Sequence, residues 1–326
     1  MYKRILIILI VLTSLPIVSF AQLGGYPGAF ARMGFSARGI SMGNAMTAIT
    51  YGDIVGYYNP ALSSFQDDHL INLGYSFLSF DRTLNFVSYT KNFKLPRQSE
   101  GGAGITFSWI NAGVSNIDGR DNDGYPIGTY SVSENQFLFA PSIRVSEQVS
   151  IGFGFKFYYS KLFEGVTSTS LGFDLGALYK VSDKINIGAS IKDIKSKYMW
   201  NTNSVYGNES GATTEDDFPI VYDIGTSYLL PKEIGVASLE YEGSNKKTNI
   251  IKAGVEFVPI KNVALRGGVD RFDLSSNDIF GNSQIMFGVG YQHTINKYVV
   301  GLDYSFVVEA YSNKPFQTLT AVFKIK

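Results

Sequence analysis

The chain has 326 residues, with 28 basic and 28 acidic side chains, 34 Gly, 21 Tyr, 24 Phe and no Cys. Without cysteine there are no disulfides, no thiolate metal sites and no lipid anchor on an N-terminal cysteine. The balanced charge produces no strong field that would favour a nucleic-acid partner. Many aromatic residues and glycines with few charges are typical of a strand-rich chain.

The first 21 residues have the pattern of a cleaved signal peptide. Basic residues precede the apolar run 5–12, and Ser19 and Ala21 supply small residues before the cleavage point. The run is shorter than the ~20 residues of a spanning helix, and no later window is apolar for as long as ~18 residues. The sequence therefore predicts export, with a mature chain that begins at Gln22.

Residues 22–67 lack the alternation of a strand array. Asn59 and Pro60 predict a turn, because the residue before a proline avoids the helical region. The run 39–48 is small and apolar, and so much apolar surface must be buried somewhere. We expect this segment to form a plug in the lumen or the periplasmic mouth of the barrel that the rest of the chain predicts.

From residue 68 onward, apolar and polar residues alternate. In 149–159 large apolar residues occupy the odd positions and mostly Ser, Gly and Lys the even ones, and 171–180, 184–192 and 298–306 show the same period of two. Soluble strands average ~5–6 residues, whereas a tilted membrane strand needs ~9–11, and these segments belong to the longer class. A polar face rich in Gly, Ser, Asp and Lys is typical of a wet or plugged lumen.

Fourteen strands are predicted, an even number as in single-chain bacterial barrels. They are 68–80, 82–94, 101–112, 130–145, 148–163, 167–181, 184–198, 218–230, 233–243, 248–258, 261–272, 283–295, 297–308 and 315–325. Tight connections such as 146–147 and 182–183 alternate with longer ones, including 112–129, 199–217, 273–282 and 309–314. The predicted fold is all-β, a transmembrane antiparallel barrel over residues 68–326, surrounded by outer-membrane lipid, with its short turns in the periplasm.

The run 37–45, Asp53 and the run 58–62 resemble the N-terminal signature of the PorV/PorQ family, a branch of the FadL-like outer-membrane barrels. The stretches 188–194 and 217–220 are also similar. The resemblance covers most of the chain after residue 21, and it implies a fourteen-stranded barrel whose N-terminal segment enters the lumen. The plug motif that it marks consists of Gly39, Met42, Gly43, Asp53, Asn59, Pro60 and Ala61.

Asp118, Asp121 and Asp123 have the spacing of oxygen ligands in a calcium loop, although position 129 is Thr where an EF-hand places Glu. Either a solvated turn or a weak Ca²⁺ site in an outer loop satisfies this pattern. The acidic run 215–217 is expected to be solvated surface. No other cofactor is expected.

Seven charged residues are predicted to face the lumen, where they either pair with one another and with the plug or line a substrate path. They are Asp174, Asp223, Lys252, Glu256, Arg266, Asp270 and Asp303. His69 and His293 are the only histidines and are far apart in the sequence, so no side chain is available to activate a nucleophile. The chain is therefore expected not to be an enzyme.

Two functions remain open. The resemblance implies a role beside the type IX secretion apparatus, in which the barrel binds or shuttles secreted proteins that carry the C-terminal signal. The wider FadL-like group instead takes up hydrophobic compounds through a plugged barrel. The polar composition of 112–129 and 199–217 weighs against an apolar groove in the outer loops, so the secretion role is the expected function and uptake of a hydrophobic small molecule the alternative.

Overall fold

Fourteen strands close into one antiparallel barrel in the computed structural model, which describes residues 23–95, 102–274, 283–309 and 314–326. The signal segment 1–21, the start at Gln22 and much of the predicted loops 273–282 and 309–314 lie outside these residues. The barrel strands are β1 (His69–Phe77), β2 (Arg82–Lys94), β3 (Gly102–Arg120), β4 (Pro126–Arg144), β5 (Val149–Phe163), β6 (Val166–Lys180), β7 (Ile185–Ile194), β10 (Val221–Leu229), β11 (Gly235–Ser244), β12 (Asn249–Ile260), β13 (Val263–Asp273), β14 (Gln284–Ile295), β15 (Tyr298–Val308) and β16 (Phe316–Ile325).

The barrel closes where β1 pairs with β16, and His69 lies opposite Ile325 in that pairing. Fourteen strands, as predicted, make up the wall. The predicted tight connections are confirmed as short segments at the end of the barrel where β1 begins and β16 ends. We call this the short-turn end and the opposite one the long-loop end. No helix among the described residues is long and apolar enough to cross a membrane.

The outer face of the wall is apolar, whereas the inner face carries most of its polar and charged side chains together with apolar ones, such as Leu84, Phe86 and Ile110, that pack against the plug. In β5, Phe155 and Phe157 are 47% and 41% exposed, whereas Lys156 and Tyr158 beside them are 5% and 0% exposed. Outward aromatic rings pack across strands, for example Phe107 and Phe139 with ring centroids 4.8 Å apart. A soluble barrel has the opposite polarity, with its large apolar side chains inside.

Two boundaries predicted from the sequence are wrong. The segment 112–129 is not a loop, because β3 and β4 continue past the rim as a two-stranded ribbon in which Ile117 lies opposite Tyr130. Most of this ribbon is exposed on both faces, so its sequence lacks the alternation of a half-buried strand. The predicted strand 184–198 also breaks, because Asp193 and Lys195 both adopt a φ of 62° and turn the chain out of the ladder.

After this break, the predicted loop 199–217 is largely ordered structure. It contains β8 (Lys197–Asn201) and β9 (Thr213–Asp217), which pair only with each other, and helix α2 (Asn203–Ser210) between them. The acidic run 215–217 is exposed on β9. Amides of β8 bond to serine hydroxyls on β6, with Lys197 N donating to Ser170 Oγ at 2.9 Å. The β8–β9 hairpin is thereby held against the wall by side chains.

The segment 23–67, the N-terminal plug, lies inside the closed wall. Helix α1 (Ser36–Ser41) packs against β1 and β13–β16, whereas the 3-10 turn Pro60–Phe65 packs against β2–β6 on the other side. This turn begins at Asn59, whose side chain accepts a hydrogen bond from Ala61 N, with Pro60 at the first position of the turn. Since the plug contacts opposite sides of the barrel, it fills the lumen.

Candidate functional site

Glycines of the wall provide the space into which the plug backbone fits. A Cβ at Gly152 would lie 2.3 Å from the carbonyl carbon of Pro60, and a Cβ at Gly104 would lie 2.2 Å from that of Ser63. No side chain fits at such distances. Gly104 and Gly152 therefore allow close contact between the wall and the plug backbone.

Asn59 ties two parts of the plug to the wall. The side chain is fully buried, and its amide donates to Thr47 O at 2.9 Å and to Ala177 O at 3.0 Å. Its oxygen also accepts from Ala61 N at 3.0 Å. One side chain thus satisfies three backbone groups, two of them in buried contacts.

Replacing Asn59 with alanine is expected to destabilise the docked plug by about 1–3 kcal/mol, because one buried and one partly buried carbonyl lose a donor. The shift of the urea unfolding midpoint measures this loss. Asn208→Ala, on an exposed position of α2, is the matched control and should change the midpoint little. Equal midpoints for the two variants would contradict the role of Asn59.

Arg38 joins the plug to the wall near the short-turn end. Its guanidinium makes two bonds of 2.8 Å to Glu256, and it donates to Asp53 O at 2.7 Å and Tyr51 O at 2.8 Å. Burial would lower the pKa of Arg38, but the Glu256 carboxylate more than compensates, and the net shift is upward. Arg38 is therefore held in its charged form in a buried ion pair.

The wall continues this pair as a chain of charges. Arg266 bonds Glu256 at 2.6 Å and Asp303 at 2.7 Å. Nearby, Asp53 of the plug contacts Lys324 and accepts from Gln292 Nε2 at 2.7 Å. The short-turn end of the lumen is thus cross-linked by ion pairs between plug and wall.

A second network of charges occupies the middle of the lumen. Lys156 lies 2.9 Å from Asp174 and 2.8 Å from Asp193. Lys192 lies 2.8 Å from Asp223. Further contacts join Lys252 to Asp223 at 3.7 Å, Glu240 at 3.3 Å and Glu242 at 2.6 Å, and Asn44 to Asp270 at 2.9 Å.

All seven charged residues predicted to face the lumen are buried, and each contacts a polar or charged partner. Several partners were missed in the sequence, notably Arg38, Asp193 and Glu240. Glu240 could have been found from the alternation of its strand. Asp193 could not, because the break at the end of β7 reverses the alternation, and nothing local to Arg38 indicates Glu256.

The plug motif residues lie inside the lumen in separate groups, with Gly39–Gly43 beside β12–β15 and Asn59–Ala61 beside β5 and β6. Gly39 lies against the Tyr58 ring, where a Cβ would be 2.2 Å from the hydroxyl oxygen. That hydroxyl lies 2.8 Å from Phe35 O and 2.9 Å from Asn44 Oδ1. Burial raises the pKa of the Tyr58 phenol well above its usual range, so the group stays protonated. Met42 and Gly43 form the next turn, which follows α1 directly.

The three carboxylates of the predicted calcium loop do not converge. Asp118 is paired with Arg120 at 2.7 Å, and Asp121 Oδ1 accepts from the amides of Asp123 and Tyr125 at 3.0 and 2.8 Å. Within the described ranges, no group of three His, Cys, Asp or Glu side chains is placed to hold a metal ion. The turn uses its acidic side chains to close the β3–β4 ribbon, and weak Ca²⁺ binding there stays a prediction.

Two cavities lie on either side of the plug. The outer cavity, of about 450 Å³, is at the long-loop end and is lined by apolar plug residues, including Phe30 and Met33, and by wall residues such as Val132, Lys252 and Asp270. The inner cavity, of about 420 Å³, is at the short-turn end and is lined by residues that include Arg38, Glu256 and Arg266.

Beside the outer cavity the lumen is closed by aromatic rings. Phe218, which follows β9, packs against Tyr158 of the wall and Tyr198 of β8, with ring centroids 4.7 and 4.8 Å apart. Phe30 of the plug meets Tyr158 edge to face. The β8–β9 hairpin and the plug therefore close one side of the lumen and leave the outer cavity on the other.

The wall and the filled lumen together define a plugged, fourteen-stranded, FadL-like β-barrel. No protein-family profile matches the sequence, and no curated protein matches it. Among solved structures, the toluene transporter TodX of Pseudomonas putida is 12% identical with a TM-score of 0.60, over 89% of this chain and 97% of that one. The toluene transporter TbuX of Ralstonia pickettii is 12% identical with a TM-score of 0.59, over 89% and 97%. A FadL homologue of Pseudomonas aeruginosa is 10% identical with a TM-score of 0.56, over 94% and 98%.

Proposed function

We propose that this barrel spans the outer membrane and admits small apolar or amphipathic compounds through its lumen. The observation that carries this proposal is the outer cavity, which combines apolar plug residues with charged wall residues at the long-loop end of the barrel. Ligand pockets of this size combine an apolar lining with a few polar groups that orient the ligand.

The polarity of the wall supports the membrane location. Its outer face presents apolar and aromatic side chains in every part of the barrel, a surface that water would solvate poorly and lipid would solvate well. Export through a signal peptide at 1–21 remains a prediction and is part of the proposal. A transport role without enzymatic activity agrees with the names of the similar structures, which describe those proteins as toluene transporters and a monoaromatic hydrocarbon channel.

The secretion role implied by the PorV/PorQ resemblance stays a prediction, since none of the structures compared bears on it. Deleting the gene in its host would test it, because proteins with the type IX signal should then accumulate in the periplasm. Normal delivery of these proteins to the cell surface would refute it. We favour uptake because the outer cavity offers a binding place that requires no partner protein.

Filling the outer cavity should block uptake. Val132 is half-buried on the inner face of β4 and lines this cavity. Val132→Trp should therefore lower the uptake rate of the compound that the wild-type barrel takes up fastest about tenfold, which corresponds to about 1.4 kcal/mol of free energy. Uptake of tritiated toluene, naphthalene and palmitate by cells that express the barrel provides the measurement.

The matched control is Val145→Trp, since Val145 is 61% exposed in a turn at the short-turn end. It should leave uptake unchanged. If cells with the wild-type barrel take up none of the three compounds faster than cells without it, the proposed function is wrong. If both tryptophan variants reduce uptake equally, the outer cavity is not the site of entry.

A further inference from the structure

A row of amides crosses the outer face of the barrel at one height. Asn85, Asn111 and Asn135 lie opposite one another where β2, β3 and β4 pair, and Tyr159 of β5 lies opposite Asn135. Buried inward residues such as Gln136 alternate with them along the strands, so these side chains point away from the lumen. We call Asn85, Asn111 and Asn135 the asparagine row.

Hydrogen bonds join the asparagine row in one direction. Asn85 Nδ2 donates to Asn111 Oδ1 at 3.2 Å, and Asn111 Nδ2 donates to Asn135 Oδ1 at 3.0 Å. Asn135 Oδ1 accepts a second bond, from Trp109 Nε1 at 3.2 Å. In the described part of the chain no group donates to Asn85 Oδ1, and the Asn85 amide uses one of its two hydrogens. The row therefore begins with an amide that can still accept and donate.

The asparagine row lies at the outer edge of the apolar band of the wall. From Val149, just after a short turn, to Tyr159, β5 rises by about 25 Å at ~3.3 Å a residue and ~40° of tilt. The apolar band of such barrels is about 25 Å tall. Between the row and the short-turn end, the outward positions of β3 and β4 hold only apolar or aromatic residues, namely Ala103, Ile105, Phe107, Trp109, Phe137, Phe139, Pro141 and Ile143. The row is therefore at the level where lipid chains join their head groups.

Directly below the asparagine row, the outer face of β2–β6 is indented by a groove of about 480 Å³. Trp109 lines this groove and also donates to the row, so the two features adjoin. Aromatic rings line the groove at two levels: Trp109, Phe137 and Phe157 next to the row, and Phe107, Phe139 and Phe155 below them. The groove and the row form one amphipathic surface, with amides at its outer edge.

We propose that this surface binds a lipid of the outer leaflet through an amide-linked acyl chain of the kind that lipid A carries. The acyl chain lies in the aromatic groove. The lipid amide donates to Asn85 Oδ1, and the second hydrogen of the Asn85 amide is donated to the lipid carbonyl. This inference rests on the membrane location in the proposed function, and it does not depend on uptake.

Two observations favour this chemistry over that of an ordinary phospholipid. Asn85 Oδ1 needs a donor, which an amide linkage has and an ester linkage lacks. Lys161 lies one outward position beyond Tyr159 on β5, and its pair with Glu164 at 3.4 Å is exposed, so its ammonium has donors left for a phosphate. Asn85 and Lys161 are three strands apart, about 15 Å at ~4.8 Å a strand. That width fits a phosphorylated head group that carries several chains.

Trp109 reports directly on the groove, because the chain has only one other tryptophan, Trp200. The whole protein with Trp200→Phe is inserted in vesicles of phosphatidylcholine with brominated chains, which quench an indole that they contact. Lipid A in the groove displaces the quencher and restores fluorescence. We expect lipid A to restore half of the fluorescence at a mole fraction about tenfold lower than unbrominated phosphatidylcholine requires, the preference that two additional hydrogen bonds would give.

Variants of the row test the amide contact in the same background. Asn85→Leu removes the unfilled acceptor and keeps the bond between Asn111 and Asn135, so the preference for lipid A should fall below about twofold. Asn111→Leu breaks the row in its middle and should have the same effect. The matched control is Thr226→Val, which also removes an outward polar group, a β10 hydroxyl that donates to Asn186 O at 3.0 Å. It should keep the wild-type preference.

Equal mole fractions for lipid A and unbrominated phosphatidylcholine would overturn the lipid site. Equal displacement by phosphatidylglycerol, which has a phosphate but only ester-linked chains, would overturn the amide contact, and so would a wild-type preference in both leucine variants. If brominated chains do not quench Trp109 at all, a second copy of the protein covers this face and the proposal is wrong. Uptake fails separately: if Trp109 shows the preference for lipid A but wild-type cells take up none of the apolar compounds, the lipid site stands and the uptake function is wrong.

Discussion

Arg38→Leu is expected to weaken docking of the plug by about 3 kcal/mol, because a buried ion pair loses one partner and one buried and one partly buried carbonyl lose a donor. The guanidinium is only 4% exposed and bonds Glu256, Asp53 O and Tyr51 O. The remaining bond from Arg266 to Glu256 limits the cost, since the carboxylate keeps one cationic partner. Hydrogen exchange of the plug amides, followed by mass spectrometry, reports the free energy of undocking.

The matched control is Arg120→Leu. Arg120 also pairs with a carboxylate, Asp118, but both side chains are 56% exposed. Exposed ion pairs contribute at most about 1 kcal/mol to stability. Hydrogen exchange of the plug amides should therefore be the same in Arg120→Leu as in the wild type. Arg38→Lys should give an intermediate effect, because an ammonium cannot reproduce the two parallel bonds of a guanidinium. If the plug amides exchange hydrogen equally slowly in the wild type and in Arg38→Leu, the ion pair does not hold the plug.

Placing a charge on the outer face of the wall should destabilise the whole barrel. Ile224 is 57% exposed on β10, between Tyr222 and Tyr228 on the same face. If lipid covers this face, Ile224→Arg should cost about 2–4 kcal/mol, because an arginine near the middle of the bilayer loses its hydration. Urea unfolding of the protein inserted in lipid vesicles measures the change.

Tyr228→Arg, on the same strand, tests how the cost of an outward charge depends on its depth in the membrane. This residue lies one position from the end of β10, where the membrane interface is expected, and the same charge there should cost only about 0–1 kcal/mol. In detergent micelles, which adapt to the protein surface, the difference between the two variants should shrink. Equal costs at both positions in lipid would contradict a membrane around this face.

The composition of the outer segments does not report the outer cavity. The segments 112–129 and 199–217 are polar, whereas the cavity lies between the plug and the wall. Its apolar lining comes from the plug, including Phe30 and Met33, and from inward wall positions. A cavity formed by two distant segments leaves no continuous apolar stretch for sequence analysis to find.

The strands and their faces were determined by the sequence itself, because the alternation of a strand is a local property with a period of two. The strand number, the polar lumen and the short turns at one end all followed from it. The breaks did not. Asp193 and Lys195 leave the ladder through positive φ angles, and the β3–β4 ribbon is held by backbone pairing without a buried face.

Only the tertiary structure decided what fills the lumen and how it is held. Arg38 and Glu256 are 218 residues apart, and Asn44 and Asp270 are 226 residues apart. A sequence can place such charges on an inward face, but it cannot choose their partners, because closure of the barrel brings many inward charges within reach of the plug. The packing of the turn Ser41–Gly43 is of the same kind. Gly254 and Gly268 are ordinary inward glycines along the chain, and only the pairing of β12 with β13 places them side by side beneath Met42 and Gly43.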